Sequence, residues 1–198
     1  MVGDWLSHPG IYLDTNILVS YMHERGASIE LLNKIRLKKW RCMTSSFTAL
    51  EIYDIERLEA WVQSRRQKNW MYDQIMRNYS RRFNKTIGLT DDQLKAVFTS
   101  IRDWFSFFEA YIYLVRINDE ISINAERWCA TTNIAAPDAL HLATAIFAKC
   151  DILVTNDDDF LGIVKQNKAD IGIIATKADA FDNALAEYMK LYPKQNGV

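Results

Sequence analysis

A parallel α/β sheet covered by helices is the fold this sequence predicts, on three observations. Short apolar runs, among them Gly10–Asp14 (GIYLD) and Ile152–Thr155, alternate with segments whose apolar residues recur at helical spacing. Acidic residues close or directly follow these runs, as ligand-bearing ends of parallel strands do. With only 7 Gly and 3 Pro, and no repeat or low-complexity tract, nothing divides the chain into separate domains.

The elements follow in order. Gly10–Asp14 is a buried strand, and TNILVSYM from Thr15 is the helix behind it. Ile29–Lys39 is helical, Trp40–Thr44 a brief strand, and Ser45–Val62 a helix opened by hydroxyl side chains suited to N-capping. Thr90 and Gln93 form a capping box for a helix with Leu94, Val97, Phe98, Ile101, Trp104, Phe105 and Phe108 on one face. A strand at Tyr113–Ile117, a helix at Glu120–Thr131 and a helix opened by Pro137 come next. Ile152–Thr155 and Ile171–Ala175 are the last strands, and Asp179–Tyr192 is the last helix. One domain spans 1–198, with 64–112 as a helical, basic and aromatic insertion and 176–198 as a C-terminal helical segment.

The net charge of −1 supplies no overall attraction to nucleic acid or membrane, so any such attraction is local. Three widely separated cysteines give neither zinc-knuckle nor redox-dithiol spacing. No signal-type start and no run near the roughly 20 apolar residues of a membrane span are present. A soluble, cytoplasmic protein with reduced thiols is expected.

Four acids from four segments are placed to converge on one rim: Asp14, Glu51, Asp138 and Asp157. Each also has a simpler reading. Asp14 suits an N-cap, Asp138 behind Pro137 suits a helix dipole, Asp157 suits a turn, and Glu51 suits a solvated helix face. Their joint occurrence, in this order and on these elements, favours a common site. Clustered carboxylates repel, and a divalent cation is the natural reason to tolerate them. An all-oxygen donor set selects Mg²⁺ or Mn²⁺ over zinc.

The segments LDTNIL, SSFTALEI, PDALHLATA and LVTNDDDF resemble the motifs of PIN-domain ribonucleases, including VapC-type toxins, in the same order over roughly Gly10–Ala175. The resemblance implies a PIN-like three-layer α/β/α fold with a central parallel sheet. It also implies an Mg²⁺- or Mn²⁺-dependent endoribonuclease, the toxin of a toxin–antitoxin pair with a protein antitoxin. By the same resemblance Asp14, Asp138 and Asp157 hold metal, and Glu51 holds a second ion or orients water. Asn16, Thr155 and Asp159 support them. In-line attack by metal-activated water, leaving a 5′-phosphate, is the expected chemistry. His141, three residues after Asp138, is expected to support the rim structurally.

An acidic site needs basic surface beside it to hold a polyanion. Arg65, Arg66, Lys68, Arg77, Arg81, Arg82 and Lys85, with interleaved Trp70, Tyr72, Tyr79 and Phe83, are the favoured RNA contact. Lys34, Arg36, Lys38, Lys39 and Arg41 are read equally as an RNA contact or a solvated helix face. The aromatic helix Leu94–Phe108 is expected to be core or a homodimer seam. Two alternatives stay open: a non-catalytic RNA-binding PIN module, and a metal-dependent DNA nuclease or phosphatase. The absence of a glycine-rich phosphate loop, and Asn16 where a phosphatase pair needs a second acid, weigh against the phosphatase.

Overall fold

Parallel strands buried on both faces need apolar side chains on both faces, and the strand runs of this chain supply them. A computed structural model describes residues 8–75, 77, 88–108 and 110–193. It falls into two compact units, 1–48 with 109–198, and 49–108. The division falls within the helix over Ser46–Arg66 and before the strand at Ile112.

The first unit holds β1 (Ile11–Leu13), β2 (Cys42–Ser45), β3 (Ile112–Val115), β4 (Ile152–Val154) and β5 (Ile174–Thr176). They form a five-stranded sheet in the order β3-β2-β1-β4-β5, every pairing parallel. Its helices are α1 (Thr15–Met22), α2 (Ala27–Lys38), the start of α3 (Ser46–Arg66), α5 (Asp119–Thr131), α6 (Ala136–Phe147), α7 (Asp158–Gln166), the short α8 (Lys168–Ile171) and α9 (Phe181–Leu191). The second unit holds the rest of α3 and α4 (Asp91–Phe108).

Strand register sorts the core into two layers. Tyr12 is level with Met43 and Leu153, and Leu153 with Ala175. This row packs with Ile121 and Ala125 of α5, Ala139 and Leu142 of α6, and Phe160 and Val164 of α7. The alternate row, Ile11, Leu13, Ile152 and Val154, faces the other way and is wholly buried. On that side α1 packs on α2, and α9 packs on β4 and β5. Trp40 and Phe181, with ring centroids 5.8 Å apart, join the end of α2 to the start of α9. The result is the helix–sheet–helix sandwich that the family resemblance implied.

From β1 the chain builds outward through β2 to β3, then returns to add β4 and β5 on the opposite side. The carboxyl ends of β1 and β4 therefore flank the topological switch point, where open parallel sheets place their ligand sites. Most boundaries agree with the periodicity to within a few residues. The clearest difference is at 168–176: a helical turn occupies Lys168–Ile171, and the strand begins at Ile174. Gly172 ends that turn at φ +71°, a left-handed C-cap that glycine adopts at little cost.

In the second unit the capping box forms as expected. Thr90 N–H donates to Gln93 Oε1 at 3.0 Å, and Gln93 N–H donates to Thr90 Oγ1 at 3.3 Å. On α4 the burial is narrower than the seven-residue stripe: Ile101 and Phe108 are buried, while Phe98 is 57% exposed. Among the described residues no helix is long and apolar enough to cross a membrane. Cys42 and Cys150 are buried free thiols, and burial pushes Cys150 up to about 12.

At the opposite pole Gly10 leads into β1 with no room for a side chain. Its N–H donates to Asp151 Oδ2 at 2.7 Å, and an added Cβ would stand 3.2 Å from the Lys149 carbonyl oxygen and 3.3 Å from Cys150 Cα. Both neighbours are backbone and yield little. Gly10→Ala should therefore lower unfolding free energy by about 1–3 kcal/mol in urea titrations; wild-type stability would show that the β1–β4 entry is looser than described.

Candidate active site

A carboxylate can be buried only if its charge is met by hydrogen bonds or counter-charge. Asp14 follows β1 as the N-cap of α1 and is 5% exposed. Its Oδ1 accepts from Thr15 N–H at 2.7 Å, and its Oδ2 accepts from Asn16 Nδ2 and from Thr155 Oγ1, each at 2.6 Å. Thr155 stands just beyond β4 and is fully buried. Its hydroxyl also accepts from Asn16 Nδ2 at 3.0 Å and from Asp157 N–H at 3.0 Å, which fills its hydrogen-bonding capacity. Asn16 accepts from Asn156 N–H at 2.9 Å through Oδ1, so the orientation of its amide follows from its neighbours. Asn16 and Thr155 thus tie the ends of β1 and β4 across the switch point.

Asp157 is exposed at the rim and caps α7, its Oδ1 accepting from the N–H groups of Asp159 and Phe160, each at 2.9 Å. The simpler reading of this acid, a turn and cap, is thus realised, and only one of its two oxygens is used by the cap. Asp159 is exposed in the first turn of α7, and Asp158 pairs with Lys177 at 2.6 Å. Asp138 is half-buried in the first turn of α6, beside Pro137. Glu51 is half-buried in α3 and belongs to the second unit.

His141 is 1% exposed. Its Nδ1 lies 2.7 Å from the Tyr12 hydroxyl, and its Nε2 lies 3.4 Å from Thr15 Oγ1 and 3.7 Å from Asp14 Oδ1. Burial, and then the negative charge of Asp14, push the Tyr12 phenol well above its ordinary range, so it stays a neutral hydroxyl. Tyr12 and Asn156 were not picked out from the sequence. The available signal for Tyr12 was a phenol inside an otherwise apolar strand run, which needs a buried partner for its hydroxyl.

For a divalent ion the donor chemistry suits a hard cation, being carboxylate oxygen. The gathering is less complete: among the described residues no group of three or more His, Cys, Asp or Glu is placed to hold one metal ion. Direct hydrogen bonds join Asp14, Asn16, Thr155 and Asp157.

A family model described as PIN domain matches residues 93–165, a span that includes Asp138, Asp157 and Asp159. Residues 93–165 are thus similar to a PIN domain. Its fold is similar to that of VapBC-1 from nontypeable Haemophilus influenzae, with TM-score 0.52 and 13% identity over 86% of this chain and 98% of that one. VapBC2 from Rickettsia felis, solved bound to a DNA fragment from its promoter, has TM-score 0.47 and 14% identity over 85% and 98% of the two chains. No curated protein matches the sequence.

The two basic stretches of the chain differ in their surroundings. Lys38, Lys39 and Arg41 lie where α2 turns into the start of β2, at the amino ends of the strands and away from Asp14. Lys34 is paired with Asp182, and Arg41 Nη2 lies 3.3 Å from Met43 Sδ. In the second unit, Arg65 is held between Trp61 and Trp70, its guanidinium 5.5 and 5.1 Å from the ring centroids. Arg66, Lys68 and Arg77 are exposed, and Arg77 Nε donates to the Asp73 carbonyl. Arg81, Arg82 and Lys85 lie outside the described residues.

Thr155→Val deletes a hydroxyl that makes three bonds around a buried carboxylate. It should cost about 1–3 kcal/mol in urea unfolding, while Thr155→Ser, which keeps the hydroxyl, should cost distinctly less. Equal stability of the two variants would show that the hydroxyl network contributes nothing.

Proposed function

We propose that the chain is a metal-dependent endoribonuclease that hydrolyses RNA phosphodiester bonds at the carboxyl ends of β1 and β4. The observation that carries this reading is a buried Asp14 held by Thr15, Asn16 and Thr155 beside the rim acid Asp157, on a chain matched by the PIN model. Hydrogen bonds from three donors favour the charged form of a carboxylate and fix its direction. Asp14, Asp138 and Asp157 are assigned to an Mg²⁺ or Mn²⁺ ion, with Glu51 on a second ion or on the attacking water. When bound, the ion supplies positive charge to the phosphoryl oxygens and lowers the pKa of coordinated water. Asp159 supports the rim.

The helical, basic and aromatic insertion is assigned to RNA contact, through Arg66, Lys68 and Arg77 together with Arg81, Arg82 and Lys85. Exposed cations beside Trp70 support that assignment, since single-stranded bases stack on aromatic rings. Arg65 is assigned to holding Trp61 and Trp70 in place, with any RNA contact secondary. A cytoplasmic toxin restrained by a protein antitoxin is the physiological setting proposed, with the fold shared with VapBC-1 in support. Self-association is assigned to the same setting.

One observation favours a second reading, a non-catalytic RNA-binding module: among the described residues, three acids are not gathered as one metal group. The experiment that separates the two follows RNA cleavage by the full chain with Mn²⁺ or EDTA, beside Asp14→Asn. The enzyme reading predicts cutting that EDTA abolishes and that the variant loses by about 100-fold or more. RNA retained but uncut by the wild type would establish the binding module, and undiminished cutting by the variant would remove Asp14 from the chemistry.

A further inference from the structure

We propose that Tyr12 and His141 form a buried relay that positions Asp14, with the Tyr12 hydroxyl fixing which imidazole nitrogen carries the hydrogen that faces the carboxylate. The proposal rests on the nuclease reading only for its catalytic consequence; the geometry stands without it. Tyr12 and Asp14 lie two residues apart, at the middle and the end of β1, and His141 comes from α6, packed against the same face. Tyr12 is wholly buried and His141 is 1% exposed, so water does not substitute for these contacts.

The direction of the bonds follows from what each atom can do. A carboxylate and a hydroxyl oxygen stand on the Nε2 side, at 3.7 Å from Asp14 Oδ1 and 3.4 Å from Thr15 Oγ1. Asp14 Oδ1 at 3.7 Å is not a hydrogen-bond partner, but a lone pair on Nε2 would be repelled by that carboxylate, so the charge favours hydrogen on Nε2, with Thr15 Oγ1 as its hydrogen-bond partner. In the neutral imidazole that leaves Nδ1 as an acceptor, and the phenol 2.7 Å away is the donor that suits it. The Tyr12 hydroxyl carries one proton, and a bare Nδ1 is the acceptor 2.7 Å from it. The imidazole ring is further braced by Phe47, 5.9 Å between centroids.

Asp14 Oδ2 is already occupied by Asn16 and Thr155, so His141 acts on the other oxygen, Oδ1, which also takes the Thr15 N–H. The bonds to both oxygens restrict the rotation of the carboxylate, and the His141 ring closes the remaining side. A carboxylate that can swing loses alignment with whatever it serves, and removal of such supporting partners typically costs about 10–100-fold in metal affinity or activity. His141 is therefore a positioning residue, not a catalytic one.

The test has three arms on the full-length protein. Two-bond ¹H–¹⁵N spectra, with His141 assigned by its loss in His141→Gln, should show hydrogen on Nε2 and a bare Nδ1. In Tyr12→Phe that preference should weaken, and kcat for RNA cleavage should fall by roughly 10-fold with KM little changed. His141→Leu should lose about 10–100-fold in cleavage and in Mn²⁺ affinity measured by electron paramagnetic resonance, and His141→Gln, which can still donate toward Oδ1, should recover most of both. Circular dichroism melts identify any variant that has not folded, and Tyr12→Phe then decides. Hydrogen on Nδ1 alone in the wild type would overturn the proposal, as would folded Tyr12→Phe and His141→Leu proteins that behave as wild type. A wild type that cuts no RNA would instead defeat the nuclease reading, and the tautomer would still decide the relay.

Discussion

The organisation of this molecule depends on one buried negative charge at the meeting of β1 and β4. Asp14 is almost inaccessible to water, and its two oxygens are met by a backbone N–H, an amide and a hydroxyl. Burying an unmet carboxylate would cost more than the marginal stability of a domain allows, so these donors are a condition of the fold as well as of the site. Two of the three, Thr15 and Asn16, come from the residues directly after the acid. The third, Thr155, comes from the far side of the chain, and through it the local N-cap becomes a strand-to-strand tie.

The sheet order explains why that tie falls where it does. With β1 central and the chain returning from β3 to add β4 beside β1, the carboxyl ends of β1 and β4 are adjacent at the topological switch point. Apolar rows on both faces of the sheet hold these ends rigidly, and the rim carries the polar groups. Tyr12 is the point at which core and rim meet: its ring belongs to the packed layer and its hydroxyl reaches His141. A site built on strand ends and a helix is held more tightly than one built on loops.

Much of this was legible in the sequence because it rests on short-range rules. The strands at Ile11, Ile112 and Ile152, the capping box at Thr90 and Gln93, and the helix opened by Pro137 follow from periodicity and capping chemistry. The alliance of Asp14, Asn16 and Thr155 was visible as a motif. Less legible was what tertiary packing decides. On α3 the apolar spacing runs through Leu50, Ile52, Ile55, Leu58 and Val62; of these Ile52 is buried, but Leu50 is 65% exposed, and the buried Trp61 lies outside that spacing. Gly172 was read inside a strand although it closes a helical turn, because an apolar run of Ile and Gly does not distinguish the two. Arg65 belonged to a charge run in the sequence, and only the fold puts it between two indoles. The partnership of Tyr12 with His141 links residues 129 positions apart, beyond the reach of any local pattern.

The claim on which the functional account turns is that the Asp14 rim is a cation site. Anomalous diffraction from crystals of the full chain grown with Mn²⁺ addresses it directly. The account predicts a manganese peak at about 2.0–2.2 Å from an Asp14 oxygen, shared with Asp138 or Asp157. Ordered density at Asp14 with no manganese peak, while Mn²⁺ binds elsewhere on the molecule, would contradict it.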